Sequence, residues 1–100
     1  MIEIIALIKV KDNAAYFEYE TEAVQIIKQY GGELLSAFEP DDKESSESNI
    51  SEVHYLQFPD FNAFKKYQSD PGLIKLSELK EKAISNIRVI VSGKFKSYEK

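Results

Sequence analysis

Four segments carry the apolar patterns of β-strands. Residues 2–10 (IEIIALIKV) are apolar at both odd and even positions and rich in β-branched side chains, which predicts a strand covered on both faces. Shorter apolar runs at 33–38, 52–58 and 87–91 predict three further strands. Pro40, Pro59 and Gly93 follow these runs and mark their ends.

Two segments carry helical spacing instead. After the first strand, Asp12 or Asn13 can cap a helix that Gly31 and Gly32 end. Its apolar stripe recurs every three or four positions and comprises Tyr16, Tyr19, Ala23, Ile26, Ile27 and Tyr30. A second helix follows Asp60 and is interrupted at residues 69–72, where Asp70 can cap a new segment with Pro71 at its first position. That segment continues with an apolar side formed by Leu73, Leu76, Leu79, Ala83 and Ile84.

The resulting order, β-α-β-β-α-β, predicts a ferredoxin-like α+β fold. In this fold a four-stranded antiparallel sheet carries both helices on one face. Because the first strand is apolar on both faces, the helix-free face also needs a cover. A second copy packed sheet to sheet is the simplest one, so we expect a homodimer. We expect residues 1–93 to form a single domain with a flexible acidic hairpin connection at 41–51, and residues 94–100 to form a polar tail.

Charge and composition narrow the classes of function. The chain has 17 acidic and 13 basic residues among 100. Residues 41–52 hold five acidic residues against Lys43, which leaves twelve of each sign elsewhere. A balanced body with one acidic loop has no basic footprint for nucleic acid. The loop is interpreted as a solvated connector, with contact to a basic partner as the alternative. Glu3 and Lys9 interrupt the first apolar run, so neither a membrane span nor a signal peptide is expected, and we expect a cytoplasmic protein.

Several short motifs resemble one protein family. Residues 10–19 (VKDNAAYFEY) read as a strand end, an Asp and then Tyr-x-x-Tyr on a helix, and residues 30–32 (YGG) read as the helix stop. Residues 58–60 (FPD), followed by Ala63, Tyr67 and residues 69–71 (SDP), fit the third strand and the broken helix, and Gly93 fits the terminal glycine. These motifs are similar to those of the family called domain of unknown function 1330, in the dimeric α+β barrel superfamily. Lys80 stands where members often carry Arg, and the hairpin is longer and lacks the usual glycines. The resemblance implies a dimeric barrel and brings no general activity.

His54 and the tyrosines are the candidate site residues. His54 is the only histidine and shares a strand face with Leu56 and Phe58. Beside a pocket, a neutral imidazole is a candidate general base near pH 7; the alternative is a half-buried strand residue with one satisfied nitrogen. If a pocket lies between helices and sheet, its wall is predicted to include Tyr16, Tyr19, His54 and Tyr67. The alternative for the tyrosines is an ordinary core with its hydroxyls in water.

The sequence contains no motif for several other common kinds of site. With no cysteine there is no disulfide and no thiol nucleophile. Ser36 has no hydrolase motif, the glycines form no phosphate-binding loop, and one histidine with scattered carboxylates has no metal-ligand spacing. We therefore expect no metal and no cofactor. The sole arginine, Arg88, either binds a ligand carboxylate or pairs with a carboxylate on a neighbouring strand or across a dimer interface.

The resemblance leaves three functions open. Haem-degrading members of the superfamily use a helical His with Asn and Trp, and this chain has neither a Trp nor a His in a predicted helix. The remaining interpretation is a small dimeric protein that binds or acts on a small molecule in an aromatic pocket between helices and sheet. The alternatives are a cofactor-independent monooxygenase-like enzyme and a non-catalytic structural or protein-interaction module. Fold alone does not choose among them, so enzymatic activity stays an open question.

Overall fold

The four predicted strands form one antiparallel sheet. A computed structural model describes residues 1–41 and 50–99. The elements in chain order are β1 (Ile2–Val10), α1 (Asn13–Gln29), β2 (Glu33–Phe38), β3 (Glu52–Phe58), α2 (Phe61–Gln68), α3 (Pro71–Lys75), α4 (Ser77–Ala83) and β4 (Ile84–Val91). The strand order is β2-β3-β1-β4 and every neighbouring pair is antiparallel. This confirms the ferredoxin-like fold. Most of the predicted acidic connection, residues 42–49, lies outside the described residues.

Aspartates begin three of the helices. The side chain of Asp12 accepts a hydrogen bond from the Ala15 amide at 2.9 Å. Asp60 caps α2 in the same way, and Asp70 caps α3 with Pro71 at its first turn. Each carboxylate satisfies an amide that the helix itself leaves free. At the other end of α1, Gly31 has a φ of 74°, a left-handed conformation that favours glycine.

The last strand begins earlier than its sequence pattern predicts. The apolar spacing places Ile84 on the resumed helix and starts the strand at Ile87, whereas β4 begins at Ile84. A register irregularity at Lys9 and Val10 brings Ile84 opposite Val10. There Ile84 joins a core cluster that includes Ile8 and Ala83. Its β-branched side chain suits a strand, and the tertiary pairing outweighs the helical spacing.

The sheet has two different faces. Its inner face, with Ile4, Ile8 and Phe58 almost fully buried, packs under the helices. Phe58 lies close to the backbone at Gly32, where an added Cβ would meet its ring at 2.7 Å. The opposite face carries no helix. We call it the outer face and define its apolar part by the register as Ile5, Leu7, Phe38, Val53, Tyr55 and Ile90.

Candidate functional site

A cavity of about 280 Å³ lies between the helices and the inner face of the sheet. Most of its wall is apolar, and most of these apolar residues come from the sheet, including Ile4, Ala6, Leu56 and Phe58. The wall also carries polar or charged groups from four elements, namely Tyr19, Glu20, His54, Tyr67, Gln68 and Lys80. An apolar chamber with a few converging polar groups is typical of small-molecule sites.

Helical and strand periodicity bring these groups together. Tyr16, Tyr19 and Glu20 lie three and four residues apart on α1, so their side chains share one side of the helix. Glu52 and His54 lie two residues apart on β3 and therefore point to the same sheet face. The cavity thus receives a helical carboxylate opposite a strand imidazole.

His54 is held between two carboxylates. Its side chain is buried, with a residue exposure of 4%. The Nε2 atom lies 2.7 Å from Glu52 Oε1 and 3.1 Å from the Tyr16 hydroxyl. On the other side of the ring, Nδ1 lies 3.7 Å from Glu20 Oε2, within ion-pair range but beyond a hydrogen bond. We call these four side chains the His54 cluster.

Burial changes the acidity of the groups around His54. It raises the pKa of Glu20, and the nearby Glu52 adds to this, while His54 and Lys80 act in the opposite direction. Burial and, secondarily, Glu20 raise the pKa of Tyr19 to about 12. Burial also raises the pKa values of Tyr16 and Tyr67 well above the ordinary phenol range. The tyrosines therefore act as neutral hydroxyl groups, and Glu20 is a stronger base than a solvated carboxylate.

A surface groove lies on the other side of the His54 cluster. It runs between α1 and β2 and is lined by Phe17, Val24, Leu34 and Glu52, together with Glu20 and His54. We call it the α1–β2 groove. Since Glu20 and His54 line both spaces, they form a partition between the internal cavity and the surface.

The structure places the predicted site residues in different ways. Tyr19, His54 and Tyr67 line the cavity, while Tyr16 reaches it only through the hydrogen bond with His54. Their role in ligand binding stays a prediction. Tyr30 lies apart from the cavity wall and donates a hydrogen bond to Asp70 at 2.5 Å.

Three charged members of the site were missed in the sequence, namely Glu20, Glu52 and Lys80. Glu20 follows Tyr16 by four residues and Glu52 precedes His54 by two, so both spacings were available as signals. Arg88, in contrast, is exposed on the outer face opposite Leu7 and forms no ion pair within the part of the chain that the structure describes.

We expect Glu20→Gln to make the protein more stable at neutral pH. Because the pKa of Glu20 is raised in the native state, the folded protein binds this proton more tightly than the unfolded chain does. The corresponding stability is present below the unfolded-state pKa of about 4.3 and is lost as the pH rises through the native value. In urea unfolding at pH 7.5 the variant should have the larger free energy of unfolding, and its difference from the wild type should vanish near pH 4. The control Glu22→Gln lies on the exposed side of α1 and should follow the wild type at both pH values.

The described ranges, 1–41 and 50–99, contain no group of three or more histidine and acidic side chains arranged to hold a metal ion. None of the helices there has the length and apolar character needed to cross a membrane.

Comparison with known proteins shows the family and the fold. Residues 4–94 match the family model described as Domain of unknown function (DUF1330). No curated protein matches the sequence. Among solved structures, a Rhodopseudomonas palustris protein of unknown function is 17% identical in sequence, with a TM-score of 0.77. The alignment covers 96% of this chain and 83% of that protein.

Two other solved structures share the architecture. An Agrobacterium tumefaciens protein is 22% identical with a TM-score of 0.66, over 93% of this chain and 92% of its own. SnoaB, a cofactor-independent oxygenase from Streptomyces nogalater, is 11% identical with a TM-score of 0.73, over 99% of this chain and 97% of its own. At these identities the likeness shows the ferredoxin-like fold and nothing about activity.

Proposed function

The chain belongs to the DUF1330 family, and because this membership brings no activity with it, we propose that the protein binds a small, largely apolar molecule in its internal cavity and exchanges a proton with it. The observation that carries the proposal is the His54 cluster at the wall of a mostly apolar chamber. A buried imidazole beside a carboxylate of raised pKa is an arrangement suited to proton transfer.

The cavity wall indicates the chemistry of the ligand. Ile4, Leu56 and Phe58 suit an apolar body. Around Glu20, the charged Lys80 and the neutral hydroxyls of Tyr19 and Tyr67 lie close enough for electrostatic interaction. These groups suit one polar head, either a carbonyl with an acidic C–H beside it or an enolic or phenolic O–H. The ammonium of Lys80 would stabilise the anion that forms when the proton leaves.

Cofactor-independent oxygenation is the alternative enzyme function. SnoaB carries that description and shares the fold at 11% identity. An oxygenase would consume O₂ with its substrate, whereas simple proton exchange would not. The non-catalytic alternative predicts binding with neither oxygen uptake nor proton exchange. Oxygen-electrode and deuterium-exchange measurements on any bound compound therefore separate the three functions.

A screen that follows His54 tests the binding proposal. Because His54 is the only histidine, ¹⁵N-histidine labelling gives NMR signals from the site alone. We expect bicyclic ketones or phenols to shift them, and Val89→Phe to weaken that binding at least tenfold, or about 1.4 kcal/mol. Val89 lines the cavity but is exposed, so a larger side chain narrows the space without displacing a buried residue.

The matched control for the screen is Ile74→Phe. Ile74 is also exposed, lies on α3 and is absent from the cavity wall. Its variant should bind like the wild type. Equal affinity of the wild type and Val89→Phe, or a ketone and phenol library without a single binder, would count against the cavity as a ligand site.

We also propose that a second copy of the chain covers the outer face. Six apolar side chains lie there without a helix over them, and Phe38 and Ile90 are about half exposed. The same face carries Arg88, which is exposed and forms no ion pair within the described ranges. A homodimer packed through this face would remove the apolar surface from water and offer this charge a partner.

A further inference from the structure

We propose that Glu52 is the positioning residue of the site. It holds His54 in the tautomer with hydrogen on Nε2, so that Nδ1 of His54 accepts protons at the cavity. Glu52 also takes protons from Nε2 and passes them to water in the α1–β2 groove. This inference deepens the proposed function and rests on it. It adds a proton-accepting atom, a positioning residue and a proton route.

The tautomer follows from the contacts of Nε2. A carboxylate has no hydrogen to donate, so the 2.7 Å contact with Glu52 Oε1 requires Nε2 to be the donor. The Tyr16 hydroxyl lies 3.1 Å from the same nitrogen, and Glu52 is close enough to it to help raise the Tyr16 pKa, after burial and Glu20. With its hydrogen on Nε2, a neutral His54 presents a free lone pair on Nδ1.

The position of Nδ1 suits exchange with the cavity. It lies 3.7 Å from Glu20 Oε2, which is too long for a hydrogen bond and short enough for a small side-chain movement to close. Beside His54 on the inner face of the sheet stand Ala6 on β1 and Ala37 on β2. These small neighbours carry no competing hydrogen-bonding side chain.

The charged groups around the ring come from three elements. Helix α1 supplies Glu20 and the hydroxyl of Tyr16, and β3 supplies Glu52. Helix α4 supplies Lys80, which interacts with Glu20. Glu20 borders both the cavity and the groove, whereas Glu52 borders the groove, so the two carboxylates differ in their access to the cavity.

The proton balance needs no oxidant and no further reactant. The bond from the substrate's carbon or oxygen to hydrogen breaks, and its electron pair stays on the substrate as an enolate or phenolate. The proton reaches Nδ1 of His54, either directly or through the carboxylate of Glu20. The ring then releases its Nε2 proton to Glu52, and water in the groove removes it. Return of a proton from the groove through Glu52 restores the hydrogen on Nε2. The hydrogen on Nδ1 exchanges with water through Glu20, which lines both the cavity and the groove, so that Nδ1 can return a solvent-derived proton to the substrate.

The first experiment determines the tautomer. Long-range ¹H–¹⁵N spectra of histidine-labelled protein, recorded over a series of pH values, distinguish a protonated from an unprotonated ring nitrogen. We expect the wild type to carry its hydrogen on Nε2. In Glu52→Gln the amide can turn its NH₂ towards the ring, so the Nδ1–H form should rise several-fold.

Two matched variants serve as controls for the tautomer measurement. Tyr16→Phe keeps the carboxylate and should keep the wild-type tautomer, and the exposed Glu22→Gln should change nothing. A wild-type ring with its hydrogen on Nδ1, or identical tautomers in the wild type and Glu52→Gln, would overturn the inference. A merely structural role of Glu52 would alter stability without moving this signature.

The second experiment measures proton exchange with 2-tetralone, a small bicyclic ketone. We expect the wild type to accelerate deuterium uptake from D₂O at the carbon beside the carbonyl. In Glu52→Gln the exchange rate should be at least tenfold lower, while the affinity for 2-tetralone stays unchanged. If 2-tetralone binds but exchanges no faster than with His54→Ala, the inference fails and the binding proposal stands. If 2-tetralone does not bind, the tautomer measurement still decides the inference, while the proposed function loses its support.

Discussion

Replacing Ile90 by Lys should abolish the proposed dimer and leave the protein monomeric at micromolar concentrations. Ile90 lies on the outer face opposite Ile5 and is 50% exposed in the single chain. An ammonium there stays in water in the monomer, so the fold should tolerate it. In a sheet-to-sheet dimer the same charge would be buried without a partner, once from each copy, at a cost of several kcal/mol per charge.

Ile74→Lys is the control for the dimer. Ile74 is 58% exposed and lies on α3, away from the outer face, so the same chemical change there should leave the dimer intact. Native mass spectrometry and light scattering after size-exclusion chromatography report the masses directly. The proposed interface is wrong if Ile90→Lys remains a dimer, or if the wild type itself is a monomer under these conditions.

Replacing Phe58 by Ala should lower the free energy of unfolding by about 3–5 kcal/mol. Phe58 is 1% exposed and lies with its ring centroid 5.3 Å from that of Phe64 and 5.4 Å from that of Tyr67. Truncation removes these contacts and enlarges the cavity that Phe58 helps to line. The expected loss is a large part of the stability of an ordinary small domain, which is about 5–15 kcal/mol.

Phe95→Ala makes the same chemical change at a 69% exposed position beyond β4 and should alter stability by less than about 0.5 kcal/mol. Urea unfolding followed by circular dichroism compares both variants with the wild type. Phe58→Leu keeps most of the apolar volume and should lose less than Phe58→Ala. A Phe58→Ala variant as stable as Phe95→Ala would show that this ring does not organise the core.

Local chemistry explains why most of the fold was predictable. The β-branched run of β1 and the Asp12 cap of α1 act within a few residues, and such signals survive in a single sequence. The start of β4 was missed because Ile84 fits the apolar spacing of a helix as well as a strand. Its pairing with Val10, more than seventy positions earlier in the chain, decides the outcome.

The site was only partly predictable for a related reason. In the sequence, His54 is distinguished as the only histidine, and Tyr19 and Tyr67 as amphipathic aromatic residues. Glu20 and Lys80 have the side chains of an ordinary solvated helix surface, and Glu52 looked like part of the acidic loop. What distinguishes them is convergence from α1, β3 and α4 on one point, and that is a property of tertiary packing.

The two faces of the sheet have a thermodynamic consequence. The cavity lies under the inner face, and the proposed second copy lies against the outer face. In such a dimer two sheets separate the two ligands, and no residue of the His54 cluster belongs to the outer face. Filling one cavity would then leave the affinity of the other unchanged, so the sites are expected to act independently and to give a hyperbolic saturation curve without cooperativity.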